Sequence, residues 1–332
     1  MRHWKARVRN GLAAVAIGVA ALMPAAASAA GKIRIAFGDI ASVESLHLLI
    51  ALERAKEKGL EFDVSYLKSE DIAAQAVVGG QADIGVGTPY ALIQKVKAPI
   101  RMFVQLAPLR FYPIVNAEAY KTWKDLNGQE VAVQSRGSGT EAIMKLMAAR
   151  QGITYSNISY VPGSEVRAGA LLRGNIKASI VDAANRRMLM ERAPGKFIVL
   201  PLEGVSATDE ALFANREFIE REQAAIDTII EAILTTWREI AEKPEAVAEL
   251  RKKYKLLPDL PANMEAEITP YFRELAEAKA LPLNGSGEAA VKDDFAFFTL
   301  AGQLQGEAAS LKAEDFWELR PLARVLAKIG TR

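Results

Sequence analysis

The sequence contains no cysteine among its 332 residues. A chain without cysteine forms no disulfide, offers no thiolate nucleophile and has no thiol to carry a lipid. Histidine is nearly as scarce, since only His3 and His47 are present. A Ser-His-Asp triad would have to use one of these two residues, and metal sites built from Cys and His clusters are excluded.

The sequence also lacks a strong excess of charge of either sign, with a formal net charge of +2. Nothing in this balance indicates a nucleic-acid partner. Half of the residues are hydrophobic, so a chain of this length can bury a large core and is expected to divide into two lobes. There is no D-x-D-x-D-G loop of the kind that binds calcium.

Residues 1–29 have the features of a secretory signal peptide. Four basic residues lie near the start, an apolar stretch follows over 11–23, and Ala27-Ser28-Ala29 forms a small-x-small cleavage site. The apolar stretch is too short to span a membrane as a helix. We therefore expect a weakly acidic mature protein, free in a bacterial periplasm and without a lipid anchor.

Strands and helices are predicted to alternate twice along the chain. The breaker at Gly80-Gln81-Ala82-Asp83 can be overlaid on Gly174-Asn175-Ile176-Lys177, each just before a third strand. Alternation at this spacing predicts parallel sheets with crossover helices, once in each of two lobes. The chain is predicted to pass between the lobes over 107–120 and to return over 201–214. The boundaries that follow are 30–108 and 206–332 for lobe 1, and 109–205 for lobe 2.

The C-terminal part is predicted to be helical and to pack mainly on lobe 1. Prolines and glycines fall at the joints between its helices, which are predicted over 216–242, 245–254, 262–279, 288–303 and 313–329. Its large aromatic residues are expected to be core residues rather than a binding platform. These residues are Trp237, Phe295, Phe297, Phe298, Phe316 and Trp317.

The run from Val131 to Thr140 is the most informative stretch. A strand leads into Ser135-Arg136-Gly137-Ser138-Gly139-Thr140, and a helix follows. The free amides and the dipole at a helix N-terminus favour an anion, and the hydroxyls add further donors. The same residues also fit an ordinary capped helix start, or the lenient dinucleotide fingerprint G-x-G-x-x-A. The acidic residue expected after the next strand is absent, which weakens the dinucleotide interpretation.

Similar turns follow other predicted strands, and ligands of open α/β sheets gather at the carboxyl ends of strands. We therefore expect these turns to line one cleft between the lobes. His47, one turn into the first helix, is interpreted as a structural residue. The predicted ligand-binding residues are Ser42, Val43, Thr88, Pro89, Tyr90, Ser135, Arg136, Gly137, Ser138, Gly139, Thr140, Asp182 and Asn185.

Three segments resemble periplasmic substrate-binding proteins of the nitrate/sulfonate/taurine/bicarbonate type. Residues 79–89, Gly-Gly-Gln-Ala-Asp-Ile-Gly-Val-Gly-Thr-Pro, are similar to their G-x-A-D-I-G-x-x-S/T-P stretch. Residues 125–133, Asp-Leu-Asn-Gly-Gln-Glu-Val-Ala-Val, resemble D-L-K-G-K-x-V-A-V, and the expected Gly-Ser-Gly turn follows. The run 170–182 resembles the A-L-x-x-G-x-I-D-A stretch, except that Lys177-Ala178 replaces the usual Ile-Asp or Val-Asp pair.

The resemblance implies an α/β fold of two doubly wound lobes with a cleft between them, the type II periplasmic binding fold. It implies a monomeric, non-enzymatic component of an ABC importer that needs no cofactor. Such a protein closes its lobes on a small organic anion and delivers it to an inner-membrane permease. The alternatives are an exported oxidoreductase with a nucleotide cofactor at Gly137-Ser138-Gly139, and a scaffold or chemoreceptor partner without a ligand.

Overall fold

The computed structural model describes residues 31–332, so the predicted signal peptide lies outside the described residues. Within this range no helix is both long and apolar enough to cross a membrane. The first sheet has the strand order β2-β1-β3-β10-β4. Its strands are β1 (Ile33–Phe37), β2 (Phe62–Tyr66), β3 (Ile84–Gly87), β4 (Ile100–Pro108) and β10 (Thr208–Asn215).

The second sheet is formed by the strands between β4 and β10, in the order β7-β6-β8-β5-β9. Its strands are β5 (Tyr112–Asn116), β6 (Glu130–Val133), β7 (Asn157–Tyr160), β8 (Ala178–Val181) and β9 (Phe197–Val199). Helices connect the strands of each sheet. They are α1 (Leu46–Glu57), α2 (Glu70–Val78) and α3 (Tyr90–Val96) in the first lobe, and α4 (Gly139–Gln151), α5 (Ser164–Arg173) and α6 (Ala183–Arg192) in the second.

The predicted two-lobed α/β fold is confirmed, but each sheet is mixed rather than wholly parallel. In the first sheet β10 runs antiparallel to β3 and β4, and in the second β5 runs antiparallel to β8 and β9. Both antiparallel strands are the ones that the chain forms directly after crossing from the other lobe. Such a strand enters its sheet from the side of the other lobe, where the parallel strands end, and therefore runs in the opposite direction.

The two crossings are shorter than the sequence predicts. Strand β4 extends to Pro108 and β5 begins at Tyr112, so the first crossing covers only residues 109–111. The return crossing covers 200–207, because β10 starts at Thr208 inside the segment predicted as connection. Pro113 lies within β5, and a proline inside a short apolar run argues against a strand when only the sequence is read.

The C-terminal part is helical, as predicted, but the last helix begins at Arg320 rather than at residue 313, whereas the other helix ends shift by only a few residues. Helix α8 (Gln223–Glu242) packs on α1, and α12 (Arg320–Ile329) packs on α8 and β4, whereas α10 (Ala262–Glu277) also contacts α6 of the second lobe. The predicted first tail helix is divided at Glu222. The helices are α7 (Arg216–Arg221), α8 (Gln223–Glu242), α9 (Ala246–Tyr254), α10 (Ala262–Glu277), α11 (Glu288–Leu300) and α12 (Arg320–Ile329).

The aromatic residues of the tail are core residues, as predicted. All six are buried, and Trp237 and Phe298 are among the largest side chains with essentially no exposed surface. Phe295, Phe298 and Phe316 pack around the ring of Tyr90 at centroid distances between 4.8 and 6.2 Å. This cluster fixes the first sheet against α11 and the segment before α12.

The glycine in the centre of β3 permits a close contact with β10. Gly85 is paired with Phe213 on the antiparallel neighbour, and the Phe213 ring lies over the glycine. A Cβ at position 85 would be 2.1 Å from Cζ of Phe213, far below contact distance. The glycine of the Asp-Ile-Gly motif is therefore explained by the aromatic side chain on the next strand.

We predict that Gly85→Ala lowers the free energy of unfolding by about 1–3 kcal/mol, the usual cost of overpacking a core. Phe213→Leu in the same chain should remove part of this loss, because it withdraws the ring from the new methyl group. A double-mutant cycle by denaturant unfolding measures the coupling. Additive effects of the two substitutions would contradict this explanation of Gly85.

Candidate functional site

The turn at residues 135–140 begins helix α4 as predicted, but its hydroxyl groups are already engaged. Ser138 is the N-cap residue, and its Oγ accepts a hydrogen bond from the Glu141 amide at 3.3 Å. The same hydroxyl donates to the Ser135 carbonyl at 2.8 Å. Thr140 Oγ1 accepts from the Gln134 amide at 3.0 Å. These bonds shape the turn, and they leave the hydroxyls less available to a ligand than the sequence suggests.

The backbone amides of the turn are divided between internal bonds and free donors. The Gly137 amide donates to Oε2 of Glu141 at 2.7 Å, so a carboxylate of the chain itself already occupies this donor. The amides of Gly139 and Thr140, in the first turn of α4, make no hydrogen bond with the residues that the structure describes. At the buried residues of the turn, these two amides are the donors that remain for a ligand.

Arg136 lies outside the cleft. Its side chain is exposed, and its guanidinium carbon lies 5.3 Å from the centre of the Tyr160 ring. The hydroxyl of Tyr160 donates to Glu141 at 2.8 Å, so Arg136 and Tyr160 form part of the outer wall of the turn. The prediction that Arg136 binds the ligand therefore has no support in this arrangement.

The turn faces the other lobe at very short range. A Cβ on Gly139 would be 2.3 Å from Cδ2 of Leu109 and 2.9 Å from Oδ1 of Asp209. The Glu70 amide points to Ser135 Oγ at 3.5 Å, and Gln303 Nε2 donates to the Ser138 carbonyl at 3.3 Å. The start of α4 is thus held against β10, α2 and the crossing segment.

A small cavity lies between the lobes at this contact. Its volume is about 20 Å³, which is room for about one water-sized group. Ser138, Gly139 and Thr140 of the predicted site line it from the second lobe, together with Gln134 and Arg167. Five carboxylates line it from the first lobe, and we call them the cavity carboxylates. They are Asp39, Glu44, Glu70, Asp209 and Glu210.

The cavity carboxylates receive few hydrogen bonds. Glu70 Oε2 accepts from the Thr88 amide at 3.2 Å, and Asp39 Oδ1 accepts from the neighbouring amide of Ile40 at 2.6 Å. Glu44 Oε1 accepts from the hydroxyl of Tyr271 at 3.3 Å. Burial, with the other carboxylates in addition, raises the pKa of Glu70 to about 8. Burial and the charge of Asp39 raise the pKa of Glu210 to about 8 as well.

The remaining cavity carboxylates show the same direction of shift. Burial raises the pKa of Asp209 and of Glu44 well above the ordinary carboxyl values, and neighbouring acids add to both effects. The pKa of Asp39 is raised by burial, although the Ile40 amide and Arg167 oppose the shift. Burial in this cavity thus favours protonated, neutral carboxyl groups over an array of negative charges.

Arg167 brings the only guanidinium to the cavity lining, and it is almost completely buried. Its Nε donates to the Ile180 carbonyl at 2.9 Å, and its Nη1 donates to the Val161 carbonyl at 2.8 Å. Nη1 also donates to Oε1 of Gln134 at 2.7 Å. All three bonds go to neutral acceptors, so Arg167 is fixed by the second lobe and forms no ion pair with a cavity carboxylate.

Thr88, Pro89 and Tyr90 do not line the cavity. The Thr88 amide donates to the Glu70 carboxylate, so Thr88 influences the cavity through its hydrogen bond to Glu70. Tyr90 is fully buried, where its hydroxyl donates to Asp294 at 2.5 Å and accepts from Trp317 Nε1 at 2.8 Å. The predicted contact of Tyr90 with a ligand is corrected by this placement, because the helix turns the side chain into the aromatic cluster.

Ser42, Val43 and Asn185 lie at a second cavity of about 450 Å³, which opens between the same two lobes. Its walls are mainly apolar and include Met188 and Leu260. Ser42 does not cap the first helix, because that helix begins at Leu46 with Ser45 before it.

Asp182 caps α6 by accepting from the Asn185 amide and from Asn185 Nδ2, each at 2.8 Å. Asp182 therefore positions Asn185. His47 lines neither of the two cavities: it is buried against Trp237, and burial lowers its pKa to about 4.

Sequence reasoning missed the cavity carboxylates, although one signal was present. Asp209 and Glu210 interrupt an otherwise apolar run between Ala207 and Ala214. Adjacent acids in the middle of a buried strand need a partner or a function, because buried charges are costly. The sequence analysis instead places this run in the connection that returns to the first lobe.

Comparison with known proteins identifies the family. The profile of the NMT1/THI5-like family matches residues 48–247. The chain belongs to the NMT1/THI5-like family. No curated protein sequence matches it. The oxidoreductase alternative finds no support in these comparisons.

Solved structures of related fold cover nearly the whole chain of this NMT1/THI5-like protein. A protein of Bordetella bronchiseptica RB50 has a TM-score of 0.72 at 20% identity, over 91% of this chain and 98% of its own. The nitrate-binding protein NrtA of Synechocystis PCC 6803 has a TM-score of 0.68 at 12% identity, over 90% of this chain and 89% of NrtA. The alkanesulfonate-binding protein SsuA of Xanthomonas axonopodis pv. citri, bound to MOPS, has a TM-score of 0.66 at 16% identity. The match covers 88% of this chain and 99% of SsuA. These likenesses show the periplasmic-binding-protein fold.

We predict that Gly139→Ala weakens the contact between the lobes by about 1–3 kcal/mol, since its Cβ would collide with Leu109. The variant should have a lower melting temperature and a larger radius of gyration by small-angle X-ray scattering. Gly287→Ala is the control, because a Cβ at that position meets nothing within 4 Å. Equal behaviour of the two variants would contradict the proposed role of Gly139.

The raised pKa values predict a loss of stability with rising pH. Glu70 and Glu210 have a pKa of about 8 in the folded chain against an ordinary value of 4.5. Between these two values the folded chain binds more protons than the unfolded chain, so the free energy of unfolding falls as pH rises. Thermal denaturation from about pH 5 to about pH 8 measures this slope.

The double variant Glu70→Gln with Glu210→Gln should flatten the pH dependence. Glu61→Gln serves as the control, because Glu61 is exposed on the first lobe, outside the cavity. A wild-type melting temperature that stays constant or rises across this range would show that the cavity carboxyls titrate normally.

Proposed function

We propose that this protein is the extracytoplasmic solute-binding component of an ABC importer. The observation that carries the proposal is the cavity between two sheets whose chain connections, in the described range 31–332, are the short crossings at 109–111 and 200–207. Residues of both lobes line it, so a molecule held there would contact both lobes at once. NrtA and SsuA, which share the fold, are described as nitrate-binding and alkanesulfonate-binding proteins.

The proposed mechanism is hinge closure. The lobes, 30–108 with 206–332 and 109–205, would rotate about the two crossings, and a ligand that contacts both lobes would favour the closed state. The free amides of Gly139 and Thr140 and the fixed guanidinium of Arg167 would hold an acceptor group of the solute. Ser42, Val43 and Asn185, at the outer cavity, would contact the rest of the molecule.

The cellular setting belongs to the same proposal. Residues 1–29 would direct export and be removed, so that the protein acts in the periplasm as a monomer without a lipid anchor. It would bind its solute without changing it chemically, require no cofactor, and present the closed form to an inner-membrane permease.

We predict that a bound solute both stabilises and compacts the protein. A ligand at 100 times its Kd adds about 2.7 kcal/mol to the free energy of unfolding, which raises the melting temperature. Small-angle scattering should show a smaller radius of gyration on binding. The experiment screens small organic anions and cations, and mass spectrometry identifies any molecule released from the purified protein by heat.

Two results would contradict the proposed function. The first is that no compound of either charge, and no molecule released from the purified protein, changes the melting temperature. The second is turnover of the bound compound into a product, which would make the protein an enzyme.

A further inference from the structure

The side chain of Gln134 is incompletely bonded at the small cavity between the lobes, which we call the inner cavity. Gln134 is 5% exposed and lines that cavity. Its Oε1 accepts from the Gly163 amide at 2.9 Å and from Arg167 Nη1 at 2.7 Å, and these two donors identify Nε2 as the amide nitrogen. Nε2 is buried and has no partner among residues 31–332. The unbonded atom is a donor, so the group missing from this place is an acceptor.

The amide of Gln134 faces the first lobe across the inner cavity. Its side chain opposes the rise in the pKa of Asp39, a residue of the opposite wall. The two groups nevertheless form no hydrogen bond, since Nε2 is without a partner in the described part of the chain. A gap therefore separates the donor of one lobe from the carboxyl group of the other, and this gap is the inner cavity.

Further donors of the second lobe face the same space. The amides of Gly139 and Thr140 make no hydrogen bond with the described residues, and both residues line the cavity. The three hydrogen bonds of Arg167 use Nε and Nη1, so Nη2 is left for another acceptor. N–H donors at the start of a helix favour an oxygen that carries negative or partial negative charge. The second lobe therefore presents a site for an acceptor.

The first lobe can complete this site only when its carboxyl groups are protonated. An ionised carboxylate only accepts hydrogen bonds, whereas a protonated carboxyl group also donates one. Burial raises the pKa of Glu70 and Glu210 to about 8, so both groups are largely protonated at neutral pH. Their O–H groups can donate to the acceptor that the second lobe binds from the other side. Donors from both lobes then converge on one atom.

The size of the inner cavity limits this acceptor to about one oxygen atom. About 20 Å³ holds about one water-sized group. The rest of the solute would lie toward the cavity of about 450 Å³, whose walls are mainly apolar and favour a carbon skeleton over further charged oxygens. The two cavities are lined by adjacent residues of the same segments, namely Glu44 and Val43, and Ser164 and Glu165.

We propose that the solute is an organic molecule with a terminal carbonyl or carboxyl oxygen that lies in the inner cavity. This oxygen accepts hydrogen bonds from Gln134 Nε2, from the amides of Gly139 and Thr140 and from protonated cavity carboxyls. The proposal rests on the proposed function and names the group by which the solute is recognised.

The proposed site couples binding to protonation of the chain. An acceptor favours the protonated carboxyl groups, so the affinity falls as these groups ionise. A carboxyl with a pKa of about 8 that must be protonated lowers the affinity about tenfold between about pH 7 and about pH 9. Other charged and titratable groups face the site from neighbouring elements. Besides the cavity carboxylates, they are Arg167 and Glu165 on α5, Asp71 on α2, Asp182 before α6 and Tyr271 on α10.

The test keeps the carbon skeleton constant and changes the head group. Hexanoate and hexanamide are compared with hexanesulfonate and hexylamine, and benzoate and benzamide with benzenesulfonate and benzylamine, by thermal shift, calorimetry and small-angle scattering. We expect a carboxylate or an amide to raise the melting temperature and to compact the protein. Its affinity should be about tenfold lower at about pH 9 than at about pH 7. Calorimetry at about pH 8 in buffers of different ionisation enthalpy should show proton uptake from solvent.

Gln134→Glu tests the donor with the smallest change of shape. The variant keeps the oxygen that accepts from Gly163 and Arg167, and replaces only Nε2 by an oxygen. It should remain folded and bind the carboxylate about tenfold more weakly, because a donor to a charged acceptor is lost. Gln75→Glu is the control, since it makes the same change at an exposed position of α2. Affinity for the carboxylate that is equal in the two variants would overturn the proposal.

Glu70→Gln with Glu210→Gln tests the role of the protons. Each glutamine keeps a donor but cannot ionise, so the affinities at about pH 7 and about pH 9 should differ by less than about twofold. Glu61→Gln with Asp63→Asn is the control at exposed positions of the first lobe, and it should keep the full pH dependence. A cavity variant that also keeps the full pH dependence would show that other groups cause it and would overturn the proposal.

The remaining outcomes separate this proposal from the proposed function. If only a sulfonate or only an amine stabilises and compacts the protein, the solute-binding function stands and the proposed recognition of a carbonyl or carboxyl oxygen is wrong. The same conclusion follows if the compound released from the purified protein by heat has neither group, or if the affinity is equal at both pH values. If no compound binds and none is released, both proposals fail.

Discussion

The close approach of the start of α4 to β10 is the constraint on which the rest of the structure depends. Gly139 is placed so near Leu109 and Asp209 that a side chain would not fit. The contact brings the free amides of one lobe to the carboxylates of the other across a space of about 20 Å³. Without it the two sheets would remain separate layers, and the polar groups on both sides would be solvated.

The contact has an electrostatic consequence. Carboxylates that water would keep ionised are moved into a cavity where burial raises the pKa of Glu70 and Glu210 to about 8. Arg167 offsets little of this, because its hydrogen bonds go to Gln134 and to two carbonyls. Titratable groups with strongly shifted pKa values are common at functional sites, which makes this cavity the candidate site.

Local rules predicted the elements that depend on neighbouring residues. The capped start of α4 at Ser138, the alternation of strands and helices, and the burial of Trp237 and Phe298 all follow from short-range patterns. The strands next to the crossings were missed because Pro113 argues against a strand and because Asp209 and Glu210 interrupt the apolar pattern of β10. In both strands, pairing within the sheet overrides a local sequence that disfavours a strand.

The sequence alone determined the class of fold, the two-lobed organisation and the place of the turn at residues 135–140, because these depend on hydrophobic period and turn chemistry. Only the tertiary structure decided which side chains share the cleft. Tyr90 and Arg136 are turned away from it, while Glu70, Arg167 and Asp209, which are far apart in the chain, come together there. The physical reason is that the total charge of a cavity depends on side chains that folding brings together from distant parts of the chain. No local sequence pattern encodes that total charge.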